Sequence, residues 1–304
     1  MEYFLRLRTS GDSPTLTIDS QRFSLLKAST DILREALQME AEYEMIITNY
    51  IDLEKESLNT SISYMLRTPV AYVDTFDAGL AMNRRLMNLL TSVKLYTDRL
   101  THHCCACLPQ QKGTKERVEL LRSTEYGKSF DYRFIEALRN YIQHRGTAVH
   151  QIMLGGSGFA LGADRLLEFS SRFSAYKQLL ASDNRFKKQV LNEMPDSVDL
   201  ISASRGYIEA LSSIHNNVRQ MTSKSVSASR LSLQKAIDDY KSVCTEQCWG
   251  LTAYVFDGNT KIDEMPIFLN RDDIRIHLQQ RNNLLSHLKK SYVTGRAKNN
   301  NSKP

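Results

Sequence analysis

The sequence predicts a mainly α protein: an antiparallel helical bundle with a short N-terminal β-hairpin and a small mixed C-terminal extension. Three observations lead there. Apolar residues recur at helical spacing through most of the 304 residues, Pro, Gly and Ser clusters punctuate the helical runs, and β-type alternation is confined to short stretches.

Taken in order, Tyr3–Arg8 and Thr15–Asp19 favour β structure on either side of Gly11-Asp12-Ser13-Pro14, which predicts a hairpin. Asp19-Ser20 offers an N-cap for a long helix from about Gln21, where Leu25, Leu26, Ile32, Leu33 and Leu37 keep a helical period that Tyr43, Ile46, Ile47 and Tyr50 continue. Pro69 breaks that run. The next helix spans Ala71–Leu100, with Leu80, Met82, Leu86, Leu89, Leu90, Val93 and Leu95 dense on one side. Pro109–Thr114 reads as a loop before a short charged helix ending near Tyr126-Gly127. A helix over Asp131–His144 follows, with Gly146 as its C-cap.

Val149–Leu154 suits a short strand closed by a turn at Gly155-Gly156-Ser157-Gly158; no Lys-Ser/Thr pair follows to make a phosphate loop. From Phe173 the chain reads helical, breaks at Pro195, and resumes as a helix over Val198–Met221. The Ser-rich Thr222–Ser229 stretch reads as a hinge before a further helix over Leu231–Cys244. Leu251–Phe256 and Met265–Phe268 pair across Asp257-Gly258-Asn259, a last helix covers Asp272–Lys290, and the polar tail from Gly295 reads as disordered. The expected organisation is a helical domain with its hairpin over residues 1–222 and a helical extension with a basic tail over 223–304.

A net charge of +6 favours polyanions without selecting one. No stretch approaches the roughly 18 apolar residues a membrane span needs, and Met1–Arg8 has early charge rather than a signal-peptide core. Five cysteines, three of them at Cys104, Cys105 and Cys107, make an odd and crowded set unlike a disulfide framework, so a reducing cytoplasm and no membrane partner are expected. His102, His103, Cys104 and Cys107 invite a zinc reading with Cys244 and Cys248 as remote ligands. The Gly and aromatic context of a zinc knuckle is missing, however, and no metal or other cofactor is expected.

The chemistry concentrates in Phe134–Gly146. On a helix at about 100° per residue, Phe134, Ile135, Leu138, Tyr141 and Ile142 take one side. Arg139, Asn140, Gln143 and His144 share an arc of about 140° on the other, together with Glu136. A guanidinium, an amide and an imidazole are the groups that hold a phosphate and move a proton beside it. The sequence has four Arg/His pairs at this general spacing: Arg139/His144, Arg145/His150, Arg271/His277 and Arg281/His287. Only Arg139 and Arg281 are followed by Asn, and on a helix wheel Leu284 would separate Arg281 from His287, whereas nothing apolar interrupts the arc from Arg139 to His144.

The run Ala137-Leu-Arg-Asn-Tyr-Ile-Gln-His-Arg-Gly146 in a helical setting resembles the HEPN superfamily of helical nucleases and nucleotide-binding proteins. The likeness is sharpest over Tyr126–Gly156 and extends as a helical body over about Ser20–Thr222. It implies Arg139 and His144 as a catalytic pair, Asn140 as polar helper, and a homodimer. Gln143 and Arg145 are the accompanying substrate-binding candidates. The implied activity is metal-independent endoribonuclease cleavage, by attack of the ribose 2′-OH at a composite dimer site, in a toxin or phage-defence effector with a neutralising antitoxin or defence-system partner. The alternative is a non-catalytic module of that fold binding RNA, nucleotide or protein. Some toxin members carry a modifiable Tyr two residues after the His; Gly146 stands there in this chain.

Overall fold

The computed structural model describes residues 1–8, 13–67, 70–161, 164–244 and 249–293. Along the chain run β1 (Glu2–Leu7), β2 (Leu16–Ile18), α1 (Ser20–Leu66), α2 (Tyr72–Cys107), α3 (Thr114–Lys128), α4 (Phe130–His144), β3 (Gln151–Leu161), β4 (Asp164–Tyr176), α5 (Lys177–Ala181), α6 (Lys188–Glu193), β5 (Ser197–Asp199), α7 (Leu200–Lys241), β6 (Leu251–Asp257), β7 (Thr260–Pro266) and α8 (Asn270–Arg281). The chain is mostly helical, as expected, and no helix among the described residues is long and apolar enough to cross a membrane.

Two compact units interleave along the chain. The first comprises Met1–Ile46, Ser92–Leu121 and His215–Asn283; the second comprises Ile47–Thr91, Arg122–Ile214 and Leu284–Pro304. A sequential division at Thr222/Ser223 falls inside α7.

In the first unit, four antiparallel strands lie in the order β2-β1-β6-β7, with Tyr3 opposite Ile18 on one side and Val255 on the other. Alternation sends Leu5 and Leu7 into the core with Ile18, Ala253 and Val255, while Phe4 stacks on Phe256 at 5.5 Å. Gly258 turns the β6–β7 hairpin at φ +55, a left-handed conformation that glycine adopts without a Cβ clash.

Helix α7 corrects the expected hinge. It runs unbroken through Thr222–Ser229 because Val218, Thr222, Val226, Ser229, Leu233, Ala236 and Tyr240, spaced by threes and fours, are all buried. The serine and threonine on that stripe are small contact residues of a helix face, and the Thr222 hydroxyl donates back to the Val218 carbonyl at 3.0 Å. A buried polar knot also belongs to this unit. Tyr96 donates its hydroxyl proton to His215 Nδ1 (2.8 Å), the ring's other nitrogen donates to Glu40 Oε2 (3.1 Å), and Arg219 grips Glu40 through Nε and Nη2 while His215 stacks on Tyr43 at 3.8 Å.

The second unit holds the larger correction. The glycine run is not a turn: Gly155, Gly156 and Gly158 sit within β3, which pairs antiparallel with β4 from Gln151↔Ser174 to Leu161↔Asp164, and β5 adds a third strand against Ala175. The expected helix from Phe173 is accordingly strand until Tyr176. A Cβ at Gly155 would lie 3.1 Å from the Ser170 hydroxyl, so the bare glycine lets the strands close at that point.

Helix α8 ends at Arg281 rather than Lys290; Asn282 is its cap, and His287 has φ 62. The single helix on which Arg281 and His287 were compared does not form. Pro69, part of the Gly11–Pro14 turn, and the tail from Gly295 lie outside the described residues.

Helix α4 is placed by its first turn. The Ser129 hydroxyl caps it by accepting the Tyr132 N–H (3.2 Å), and Asp131 takes an ion pair from Lys289 at 2.7 Å. Asp131 also abuts Gly206 of α7, where an added Cβ would come within 2.9 Å of the aspartate Cβ. Gly206→Ala is therefore expected to displace α4 and lower stability by about 1–3 kcal/mol, an overpacking cost that outweighs alanine's helix propensity; urea denaturation measures it.

Candidate functional site

Helix α4 buries Tyr132, Phe134, Ile135, Ala137 and Leu138 and leaves its last turn open: Tyr141 and Ile142 are half-buried, while Asn140, Gln143 and His144 are exposed. The Arg145 N–H closes the helix onto the Tyr141 carbonyl at 2.9 Å. Gly146 is not a left-handed cap; a Cβ there would meet the Tyr141 hydroxyl at 3.3 Å.

Asn140 and His144, one turn apart, face a groove of about 390 Å³ whose other wall is the α5–α6 connection with Asp183, Arg185, Phe186 and Lys187; Ala137 and Tyr141 line its helix side. No hydrogen bond or ion pair engages the His144 imidazole or the Arg185 guanidinium among the described residues. Lys187 lies 3.1 Å from the Tyr126 hydroxyl and 5.1 Å from its ring centroid. Arg145 sits 3.5 Å from Asp183, whose carboxylate is almost fully buried and also accepts the Arg185 N–H at 3.1 Å. The groove is thus lined by two cations, the largely buried Asp183 carboxylate, an amide and an imidazole, with Tyr141 and Phe186 as its aromatic residues.

Arg139 does not line this groove. Its guanidinium, 14% exposed, pairs with Glu136 Oε2 at 3.2 Å and donates to Asn140 Oδ1 at 3.2 Å. Glu136 accepts in turn from the Tyr207 hydroxyl, while Arg133 is committed to Glu193. Burial and the nearby Glu136 carboxylate push the Tyr132 phenol up to about 12 and hold Tyr207 well above the ordinary phenol value, so both hydroxyls stay protonated and Tyr207 remains a donor to Glu136. With its oxygen held by Arg139, Asn140 keeps its two N–H groups for the groove. The predicted set therefore divides: Asn140 and His144 come together, Gln143 is exposed on the same turn, Arg145 stands at the Asp183 edge, and Arg139 acts from behind.

Sequence reasoning missed Asp183, Arg185, Phe186 and Lys187. Their signal is the basic, aromatic Asp183-Asn-Arg-Phe-Lys-Lys188 turn between two short helices, too far along the chain for any helix wheel to connect with α4.

The cysteine cluster ends α2. Burial pushes the Cys104 and Cys107 thiols up to about 12, which keeps them neutral, and Cys105 is exposed. His103 is taken by Glu35 at 2.8 Å, with Glu42 3.5 Å from its other nitrogen. Among the described residues no group of three His, Cys, Asp or Glu side chains has the arrangement of a metal site, and Cys248 lies outside those residues. No family model, no curated protein and no solved structure matches this chain.

Proposed function

We propose that the chain is a metal-independent endoribonuclease whose general base is His144. One observation carries this reading: an exposed imidazole, unengaged by protein groups among the described residues, lies beside an amide in a groove walled by Arg185 and Lys187. The imidazole takes the proton from a ribose 2′-OH, the 2′-oxygen bonds to phosphorus, and the bond to the 5′-oxygen breaks, leaving a 2′,3′-cyclic phosphate. Arg185 and Lys187, with Arg145 at the edge, attract the phosphodiester, and the Asn140 amide donates to a non-bridging oxygen. The 5′-oxygen needs a proton from a second donor, which a second copy of the groove supplies in a composite site. A role in host or phage RNA destruction, with a neutralising partner, rests on the resemblance of Ala137–Gly146 to HEPN proteins.

A second reading, RNA or nucleotide binding without cleavage, is favoured by the commitment of Arg139 to Glu136, which withdraws that cation from the groove. Incubating the purified chain with end-labelled single-stranded RNA in EDTA separates the two. Fragments ending in 2′,3′-cyclic phosphate are expected; intact RNA that nevertheless shifts in a binding assay selects the second reading, and RNA that neither shifts nor breaks removes both.

A further inference from the structure

The N-terminal half of α2 carries an apolar stripe that its own unit leaves uncovered. Val73, Phe76, Leu80 and Met87 are 57%, 54%, 51% and 49% exposed. Their spacings of three, four and seven place all four within about 60° of one another on the helix. The opposite side of the same helix, through Met82, Leu86 and Leu89, is buried. Scattered exposed apolar residues are ordinary; four aligned on one face over four turns mark a surface built to be covered.

What covers it is indicated by the charges along its flank. Asp77 and Arg84 lie on one edge of the stripe, both exposed, and neither has an ion pair among the described residues. Seven residues apart, they are separated by about 10.5 Å along the axis, too far to pair with each other. Two antiparallel copies of α2 related by a two-fold axis at Leu80 resolve this. Residue i then stands level with residue 160 − i of the other copy, so Val73 meets Met87, Leu80 meets Leu80, and Asp77 comes within one residue of Arg84, about 1.5 Å along the axis. A two-fold axis perpendicular to the plane of the helices keeps flanks of the same sense together, so Asp77 and Arg84 face each other twice, once on each side of the axis.

We propose that this face of α2 is a homodimer interface in which a second copy of the chain packs antiparallel across Leu80, with reciprocal Asp77–Arg84 ion pairs fixing the register. The pattern is self-complementary in polarity and charge, which a surface for an unrelated protein or a lipid headgroup layer has no reason to be. The proposal goes beyond the groove reading, which calls for a second copy without saying which face joins it. A physical link exists within the second unit. Asn83, on the same helix, accepts the backbone N–H groups of Ala148 (2.8 Å) and Val149 (3.2 Å), so α2 is tied to the segment that follows His144.

The test needs no RNA, so its failure and that of the nuclease reading are separable. Sedimentation of the full chain at micromolar concentration should give a dimer. Asp77→Arg places like charges opposite each other at two symmetric points and should raise the dimer dissociation constant at least tenfold, and adding Arg84→Asp should restore it to within about threefold. Leu80→Cys, in a chain whose Cys105 and Cys248 are replaced by serine, should oxidise to a covalent dimer, because residue 80 meets its own copy. Circular dichroism checks that each variant stays helical, as expected for exposed positions. A monomer at all these concentrations would give the face to some other partner and overturn the proposal. So would a dimer that tolerates Asp77→Arg and does not cross-link through residue 80.

Discussion

Replacing Arg219 by alanine is expected to lower the unfolding free energy by about 3–5 kcal/mol, the cost of stranding a buried charge. Glu40 has no exposed surface, and Arg219 supplies two of its hydrogen bonds and carries a third to the Asn282 carbonyl at 2.6 Å. Burial alone would raise the Glu40 carboxyl, but hydrogen bonds from His215 and Arg219 draw it down to about 2. Adding Glu40→Gln to Arg219→Ala should recover part of the loss by removing the unpaired charge; no recovery would mean that the destabilisation comes from lost packing instead. The same knot sets an acid limit. The folded-state pKa of Glu40 lies below its ordinary 4.5, so its contribution is complete above pH 4.5 and disappears as pH falls toward about 2. Burial holds His215 below its ordinary 6.5, so its contribution begins to fall as pH drops through 6.5, where the unfolded chain takes up the proton more readily. The melting temperature should therefore decline from pH 7 downward. A flat profile between pH 7 and pH 5 would contradict a neutral, buried His215.

Much of this architecture was legible because periodicity reports burial. Met82, Leu86, Leu89, Leu90 and Val93 marked α2, and alternation at Tyr3–Arg8 marked β1, since each pattern is the imprint of a buried face; Leu80, read with that run, falls on the exposed side. Two features hid from it. The serines of α7 look like a hinge by composition, yet their small side chains are what a helix uses where neighbours approach closely; only the spacing of Val218, Val226 and Leu233 across them reveals the continuity. The β3–β4 hairpin is disguised by glycines on one strand and by mixed polarity on the other, as happens when much of a sheet is exposed and backbone hydrogen bonding rather than side-chain burial defines it. At the groove, Asn140 and His144 were readable from one helix wheel. That Arg139 would turn to Glu136 was not, because the wheel places both on the same side and does not record the Tyr207 hydroxyl that fixes the carboxylate. Nor could local spacing bring Arg185 and Lys187 to a helix forty residues upstream.

The decisive functional result is expected from His144→Ala. If the imidazole is the base, its removal should lower the rate of RNA cleavage by about 100- to 10,000-fold while leaving RNA affinity within about twofold, because the ring contributes a proton acceptor rather than charge. The exposed position of His144 on the last turn of α4 means that stability should change by under about 0.5 kcal/mol, so loss of activity is not loss of fold. Arg185→Ala with Lys187→Ala should do the reverse. Affinity weakens, and the salt dependence of binding to single-stranded RNA becomes shallower by about 0.7 for each phosphate contact removed, while the cleavage rate at saturation falls far less. Arg139→Ala discriminates between the two possible tasks of that residue. Acting only through Asn140, it should slow cleavage no more than Asn140→Ala does, and combining the two changes should add nothing; a larger loss, additive with Asn140→Ala, would mean that Arg139 leaves Glu136 to reach the phosphate when RNA binds. Cleavage that survives His144→Ala unchanged would place the chemistry away from this groove.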